Sequence, residues 1–491
     1  MKLDLINHDY KYAVEQILLM MFPEEKPEYN ETADTASRAV VSLSYGHVYV
    51  TAATKIHIDG DTFRGISRVK SELLTGKLVS DRLLGRIIKI SFYKAAASAT
   101  GKKTVWGALT GIRPAKIMTG MLESGTSPKQ AKTQFCREYF VTPERAELCL
   151  DTALASLSVK RSLKKNDIAL YVGIPFCPTR CAYCSFVSHS VEKSMKLISP
   201  FLEALFQEID ATSQVVRDLG LSINSVYIGG GTPTTLSAQD LGRLTEKISS
   251  SFDLTNILEY TVEAGRPDTI TREKLSVLKA SGVTRISINP QTMIDRVLSV
   301  IGRKHSAQDV LDAMAMARET SFQAINMDVI AGLPTDTPDS FKETLDTIIG
   351  LAPENITVHT LSLKKGARLS LEGTTIPSGA EVSEMLDYAA TRLRQTGHSP
   401  YYLYRQKFMS GGFENIGWCA KGFESLYNIC IMEELCTILS LGGGGVTKLV
   451  SQKSGKIERI FNAKYPYEYI DNIDKIISSK EKIKNFYITE V

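Results

Sequence analysis

The chain has 491 residues, more than one ordinary domain requires, so two or three domains are expected. Hydrophobic residues make up 43% of it and charged residues 23%, a balance that is typical of globular proteins and excludes a disordered or fibrous chain. The formal net charge of +4 comes from 58 basic and 54 acidic residues that form no basic stripe, so no nucleic-acid partner is expected.

The first residues and the cysteines indicate where the protein works. The amino-terminal segment predicts an amphipathic or buried helix and not a signal peptide, because no basic stretch precedes a clean apolar one. No apolar run approaches the ~20 residues that a membrane span needs, so none is expected. Eight cysteines, three of them clustered, are typical of a reducing compartment and of metal chemistry. We therefore expect a cytoplasmic protein.

Two of the three predicted regions flank a more regular centre. Residues 1–165 mix helical and strand-like patterns, which predicts an accessory α+β domain. Its helical stretches lie near 10–21, 79–100 and 127–158, and its strands near 39–43 and 47–51. Residues 376–491, with a helical pattern at 380–396 and an aromatic strand-like stretch at 401–404, predict an α+β extension.

The central region, residues 166–375, alternates short apolar runs with helical segments. The six runs are 169–174, 225–228, 258–263, 284–289, 324–331 and 356–361, and the helical segments lie near 193–218, 237–250, 271–280, 307–320 and 338–350. Strands alternating with helices predict βαβ units around a parallel sheet, here an α/β fold with a partial (β/α)6 barrel. Ligands of such sheets bind at the carboxyl ends of the strands.

Three cysteines follow the first predicted strand in the spacing CxxxCxxC: Cys177, Cys181 and Cys184. Three thiolates in so short a loop can bind three irons of a 4Fe–4S cubane, leaving the fourth iron open to a small molecule. A zinc ion is the main alternative, and three unrelated buried thiols are a second one. The zinc alternative draws its fourth ligand from a more distant set of residues, namely Cys419, Cys430, Cys436 or His189.

Polar residues also stand at the ends of later strands. Gly229–Thr234, with three successive glycines, suits a backbone that approaches a ligand closely, although a tight turn alone explains it equally well. Glu263 ends the third strand, where an ion pair with Arg266 is the alternative to ligand binding. Asp328 lies within the apolar fifth strand, where a carboxylate is costly unless it is paired, so we favour ligand binding.

The cysteine loop behind the first strand of a six-unit β/α region resembles the radical S-adenosylmethionine (SAM) superfamily. The resemblance implies a 4Fe–4S cluster and SAM as cofactors. It also implies that the reduced cluster passes one electron to SAM, whose 5′-deoxyadenosyl radical then abstracts hydrogen from the substrate, while the protein positions the reactants. An electron donor of the flavodoxin or ferredoxin type and a monomeric protein are expected with it.

The Gly229–Thr234 sequence GGGTPT is similar to that of the coproporphyrinogen dehydrogenase and heme-chaperone branch. Carried over by position, this resemblance implies contacts to cluster-bound SAM, with catalytic roles for the tyrosine, the glutamate and the arginine: Tyr171, Gly230, Glu263 and Arg303. A second SAM molecule would contact another set: Tyr183, Gly231, Thr232, Gln291, Asp328 and Ser362.

Two departures from the family patterns limit this resemblance. Phe186 stands where the dehydrogenases carry a further cysteine, and Glu414, Trp418 and Cys419 replace the His, Tyr and Trp of the heme-chaperone motif. The resemblance still implies oxidative decarboxylation of coproporphyrinogen III to protoporphyrinogen IX, with residues 376–491 as a coproporphyrinogen-oxidase-like domain. A heme-binding or heme-delivery protein and a radical SAM enzyme acting on another tetrapyrrole are the alternatives.

Overall fold

The computed structural model describes residues 1–29, 37–184, 189–190, 195–362, 373–406 and 412–490. The chain forms two compact units, Met1–Leu150 and Asp151–Val491. The expected core and the expected carboxyl-terminal extension both fall in the second unit, and the division into three regions stays a prediction. In the described part of the chain, no helix is both long and apolar enough to cross a membrane.

The first unit contains a four-stranded sheet, which agrees with the predicted α+β pattern. Its strands lie in chain order as β1 (Lys2–Ile6), β2 (Ser37–Tyr45), β3 (Tyr49–Ile58) and β4 (Asp61–Lys70), and β1 and β2 are parallel. Alternate residues of β2 are buried, as expected for a strand with one face on the core. The helices are α1 (Lys11–Met21), α2 (Lys77–Thr100), α3 (Ala115–Glu123), α4 (Pro128–Tyr139) and α5 (Pro143–Ser162), the last of which runs into the second unit.

The predicted helical stretch 127–158 is interrupted in the structure. Phe140 adopts a left-handed conformation with φ of 61°, which ends α4. Pro143 then begins α5 as its first residue. The helical periodicity of the sequence continues across this break, so the break could not be predicted from the periodicity.

Six parallel strands form the centre of the second unit, one for each predicted run: β5 (Asp167–Ile174), β8 (Ser222–Gly230), β9 (Glu259–Gly265), β10 (Arg285–Gln291), β11 (Ala324–Ala331) and β12 (Asn355–Thr360). The short strands β6 (Phe176–Cys177) and β7 (His189–Ser190) pair near the cysteine loop. The intervening helices are α6 (Ile198–Asp218), α7 (Ala238–Ser251), α8 (Arg272–Ala280), α9 (Asp295–Val300), α10 (Ala307–Thr320) and α11 (Pro338–Gly350). The predicted α/β fold with a partial barrel is confirmed.

Strands from the end of the chain extend this sheet at both edges. They are β13 (Ser399–Arg405), β14 (Glu414–Cys419), β15 (Thr437–Gly442), β16 (Val446–Val450) and β17 (Ile457–Phe461). The full order is β13-β14-β12-β11-β10-β9-β8-β5-β15-β16-β17, with β14 antiparallel to β12 and β15 parallel to β5. The remaining helices are α12 (Gly379–Gln395), α13 (Leu426–Glu433), α14 (Pro466–Asp471), α15 (Ile473–Ser478) and α16 (Glu481–Glu490).

A buried carboxylate fastens these last elements to the barrel. Glu208 on α6 is 0% exposed and accepts hydrogen bonds from Gly442 N at 2.8 Å and Asn462 Nδ2 at 2.8 Å. Tyr469 Oη and Lys480 Nζ, each 2.5 Å from the carboxylate, complete its set of donors. A buried charge with this many partners, one of them an ammonium group, is stable in the core.

The carboxyl ends of β15 and β5, which are neighbours in the sheet, approach each other closely. Gly442 has φ of 80°, and a Cβ atom there would stand 2.3 Å from the carbonyl oxygen of Gly173. A Cβ atom on Gly443 would stand 2.7 Å from the Pro175 ring. Glycine is therefore required at both positions, because the backbones approach too closely for a side chain.

Candidate active site

One cavity of about 380 Å³ lies inside the barrel, within the usual size range of ligand pockets. Its wall includes all thirteen residues that the sequence predicts for the site: Tyr171, Cys177, Cys181, Tyr183, Cys184, Gly230, Gly231, Thr232, Glu263, Gln291, Arg303, Asp328 and Ser362. The structure therefore brings the predicted residues together, while their individual contacts with a ligand stay predictions.

The cysteine loop is held by hydrogen bonds to its neighbours. Ala182 N donates to the carbonyl oxygen of Ile301 at 3.0 Å, and Cys184 N donates to that of Cys181 at 3.1 Å. Thr232 Oγ1 lies 3.6 Å from the Cys177 sulfur, and none of the three loop cysteines forms a disulfide bond. Phe186, which stands where the dehydrogenases carry a further cysteine, lies outside the described residues.

The distant cysteines of the zinc alternative are packed in apolar surroundings. Cys419 lies in a cluster with Tyr401 and Tyr402, and Cys430 and Cys436 lie in another around Tyr427. Burial raises the pKa of Cys419 to about 12, which disfavours the thiolate that a zinc ligand requires. Among the described residues, no three His, Cys, Asp or Glu side chains are gathered as ligands of a single ion.

The glycines after β8 lie against the strand that leads into the cysteine loop. Gly230 has φ of 114°, and a Cβ atom on Gly231 would stand 2.5 Å from Phe176 O and 2.9 Å from the Cys177 sulfur. Gly231 N donates to Ile174 O at 2.8 Å. Close packing on the cysteine loop therefore requires these glycines by itself, so packing and ligand contact both fit them.

Glu263 has a tyrosine as partner. Tyr227 Oη donates to Glu263 Oε1 at 2.5 Å, and the backbone of Gly230 also hydrogen-bonds to this carboxylate. Burial, with the nearby Asp328 carboxylate, raises the pKa of Glu263 to about 7 although these hydrogen bonds oppose the shift. The alternative ion pair of Glu263 with Arg266 is wrong, because Arg266 pairs with Asp268 at 2.8 Å.

Tyrosine rings are stacked next to this glutamate. The rings of Tyr171 and Tyr227 have centroids 6.2 Å apart, and those of Tyr227 and Tyr427 are 4.4 Å apart with an angle of 22° between their planes. Such stacking adds to the energy of burying the rings. Tyr171 and Tyr227 both face the cavity and so give it an aromatic side wall.

Four polar atoms of the cavity wall are buried without a hydrogen-bond partner in the described part of the chain: Arg285 Nε, Asn289 Oδ1, Gln291 Oε1 and Arg303 Nε. The other guanidinium nitrogens of Arg303 donate to Asn289 O at 2.6 Å and Tyr183 Oη at 3.1 Å. Gln291 also has φ of 70°, a strained conformation for a residue with a Cβ. Unpaired buried polar atoms are costly, so this wall fits a polar ligand such as SAM.

Asp328 is paired within the chain. Its Oδ1 accepts a hydrogen bond from Asn326 Nδ2 at 2.7 Å, and its Oδ2 lies 3.7 Å from His359 Nε2. Burial opposes ionisation, but His359 and Asn326 outweigh it and hold the pKa of Asp328 below its usual value. Asn326 and His359 therefore provide the partners that a buried carboxylate requires, and a contact of Asp328 with a ligand stays a prediction.

Several residues of the cavity wall were not predicted from the sequence: Thr179, Tyr227, Arg266, Asn326, His359, Tyr401, Tyr402 and Tyr404. A signal for some of them was present. Thr357 and His359 alternate along β12, so both face the side that Asp328 faces on β11. The tyrosines of β13 carry no such signal, since only the pairing of β13 with β14 brings them to the cavity.

Comparisons with known proteins agree with this geometry. Residues 171–348 match the model of the Radical SAM superfamily. The oxygen-independent coproporphyrinogen-III oxidase-like protein HemZ of Bacillus subtilis is 34% identical over 98% of this chain and 97% of its own length. The heme chaperone HemW of Haemophilus influenzae is 27% identical over 62% of this chain and 76% of its own length. The solved structure of coproporphyrinogen III oxidase (HemN) from Escherichia coli, a radical SAM enzyme, has a TM-score of 0.53 and 23% identity over 65% of this chain and 72% of its own, a likeness of fold. The chain belongs to the radical SAM superfamily, in the branch of oxygen-independent coproporphyrinogen-III oxidase-like proteins.

Proposed function

We propose that the protein catalyses the oxygen-independent oxidative decarboxylation of coproporphyrinogen III to protoporphyrinogen IX in the cytoplasm. The observation that carries this proposal is the single cavity in which all thirteen predicted residues meet. The full-length similarity to a coproporphyrinogen-III oxidase-like protein supports the choice of substrate class. The enzyme would take its electrons from a donor of the flavodoxin or ferredoxin type and act as a monomer.

The superfamily to which the chain belongs uses a 4Fe–4S cluster and SAM, and the cavity wall fits both. The thiols of Cys177, Cys181 and Cys184 would hold the cluster, and Tyr171, Gly230, Glu263 and Arg303 would hold the SAM bound to it. When bound, these cofactors supply a 5′-deoxyadenosyl radical that removes a hydrogen atom from a substrate propionate. A second SAM beside Tyr183, Gly231, Thr232, Gln291, Asp328 and Ser362 is part of the proposal.

The chain's own groups would orient these cofactors and keep water out. Glu263, with its pKa of about 7, can accept hydrogen bonds from an ammonium or ribose group at neutral pH. Arg303 is fixed by Asn289 and Tyr183, so its remaining donors are directed by the fold and need little reorganisation. The stacked rings of Tyr171 and Tyr227 line the cavity with apolar surface that excludes water from a radical reaction.

The heme-delivery alternative has less support from the geometry. Glu414, Trp418 and Cys419, which replace the heme-chaperone motif, all lie on β14 between β12 and β13. Glu414 and Trp418 are each 1% exposed, and Cys419 is 0% exposed. None of these three side chains lines the cavity. A reaction on another tetrapyrrole would need the same cofactors, and the experiment below separates it.

The test is anaerobic reconstitution with iron and sulfide, followed by incubation with SAM, dithionite and either coproporphyrinogen III or heme. The products are separated by liquid chromatography. We expect 5′-deoxyadenosine and protoporphyrinogen IX with the first substrate. Deoxyadenosine without protoporphyrinogen would contradict the proposal in favour of another tetrapyrrole. Stoichiometric heme binding without SAM cleavage would favour the delivery function.

A further inference from the structure

Arg266 lies beside the cysteine loop and has no role in the predicted SAM contacts. It is 3% exposed and lines the cavity. Its Nε and Nη2 donate to the two carboxylate oxygens of Asp268 at 2.9 and 2.8 Å, a forked pair that fixes the plane of the guanidinium.

The third nitrogen of Arg266 reaches the cysteine loop itself. Its Nη1 donates to Thr179 Oγ1 at 2.6 Å and lies 3.3 Å from the Thr179 carbonyl oxygen. Thr179 stands between Cys177 and Cys181, the first two cysteines of the loop. These bonds are charge-assisted and partly buried, so they are stronger than ordinary surface hydrogen bonds.

His305 lies near Asp268 on another side. Its Nδ1 is 3.8 Å from Asp268 Oδ1, and the His305 side chain is fully buried. The guanidinium therefore lies between the Asp268 carboxylate and Thr179 of the loop. On the far side of Cys181, the bond from Ala182 N to Ile301 O is a further attachment of the loop.

We propose that Arg266 is a positioning residue that, held by Asp268, fixes the backbone between Cys177 and Cys181 at the spacing the cluster needs. Lysine cannot replace it, since an ammonium group lacks the planar fork that grips Asp268 and Thr179 at the same time. The inference rests on the cluster of the superfamily and not on the identity of the substrate, so its test needs no porphyrinogen.

The test compares the cluster-free and reconstituted forms of four variants with the wild type. Arg266→Lys keeps the charge but loses the fork, and Thr179→Val removes the acceptor while leaving the pair of Arg266 with Asp268 intact. Thr179→Ser restores the hydroxyl. Arg318→Lys is the control. Arg318 forms an ion pair with Glu354, with an N–O distance of 2.7 Å, and this pair lies away from the loop.

Two rates are measured. The first is the alkylation rate of Cys177 and Cys181 by iodoacetamide in cluster-free protein, resolved by mass spectrometry. The second is the rate of iron release to a chelator after reconstitution. Both should rise about tenfold in Arg266→Lys and Thr179→Val, as the loss of one buried charge-assisted hydrogen bond implies. Thr179→Ser and Arg318→Lys should match the wild type.

A double variant, Arg266→Lys with Thr179→Val, should be no faster than Arg266→Lys alone, because that variant has already lost the contact with Thr179. Rates that multiply in the double variant would overturn the proposal, and so would wild-type rates in Thr179→Val. If Arg266→Lys does not fold, the pair Thr179→Val and Thr179→Ser decides the question alone.

Discussion

Glu208 and Glu263 both belong to the second unit, but their carboxylates have different surroundings. Glu208 lies in the core and accepts from four groups, including the Lys480 ammonium. Glu263 faces the cavity with Tyr227 and a backbone amide as partners and with the Asp328 carboxylate nearby. The first region has its polar groups paired within the chain, whereas the second leaves capacity for a ligand. The difference separates the residues that hold this fold from those that serve its site.

The largest expected effect is on the site alone. Cys181→Ala should abolish both the iron–sulfur cluster and SAM cleavage, since a cubane needs all three thiolates of the loop. The fold should stay intact, because Cys181 is not part of the core. Iron content, visible absorption and deoxyadenosine formation measure the loss, and circular dichroism checks the fold. If the variant stayed brown and still cleaved SAM, the cysteine loop would not be the cluster site.

Removing the Glu208 carboxylate should affect stability most. Glu208→Ala leaves Lys480 charged and unpaired in the core, and we expect a loss of about 3–5 kcal/mol in the free energy of unfolding. Urea unfolding of the cluster-free protein measures it. Glu203→Ala is the control on the same helix, since Glu203 is 57% exposed and its pair with Arg243 should contribute at most about 1 kcal/mol. Equal losses in the two variants would mean that the buried network does not hold the fold.

Glu263 should make the stability of the protein depend on pH. Its pKa is raised from 4.5 to about 7 in the folded chain, so the folded state binds its proton more tightly than the unfolded state does. This contribution to stability is present below pH 4.5 and is lost as the pH rises through about 7. The stability of the wild type relative to Glu263→Gln should therefore fall by about 2 kcal/mol between pH 5 and pH 8. Urea unfolding of both cluster-free proteins measures it, and parallel pH profiles would contradict the raised pKa.

The smallest effect on the cluster is expected at Asp328. Asp328→Asn keeps the size of the side chain and leaves the cysteine loop untouched, so iron content and brown colour should equal those of the wild type. Deoxyadenosine formation should decrease if the carboxylate contacts a ligand. Loss of the cluster in this variant would place Asp328 among the structural residues instead.

The sequence allowed the barrel, and the part of the cavity wall that lies at the predicted strand ends, to be predicted, since both follow from the order of elements along the chain. Each βα unit contributes one strand, and parallel strands bring their carboxyl ends to the same side of the sheet. Cys177, Gly230, Glu263 and Asp328 therefore meet although about 150 residues separate the first from the last. Their meeting depends on the repeated unit and not on any single contact.

The partners of individual side chains could not be predicted in this way. An ion pair of Arg266 with Glu263, three residues away, was the alternative to ligand binding by Glu263, but Asp268, two residues away, takes the Nε–Nη2 edge of the guanidinium. Tyr427 comes from helix α13, and its stacking on Tyr227 depends on the final packing of the carboxyl-terminal residues. Neither contact produces a periodic pattern in the sequence.

The pairing of β15 with β5 has a consequence for the order in which the protein is made. Strand β5 leads into the cysteine loop, yet one of its edges is covered by Thr437–Gly442, more than 260 residues later. At ordinary rates of translation, this edge waits for tens of seconds or less on the ribosome before its neighbour emerges. An open strand edge is an aggregation hazard. A nascent chain that lacks residues 437–442 would therefore leave one edge of the strand before the cysteine loop uncovered.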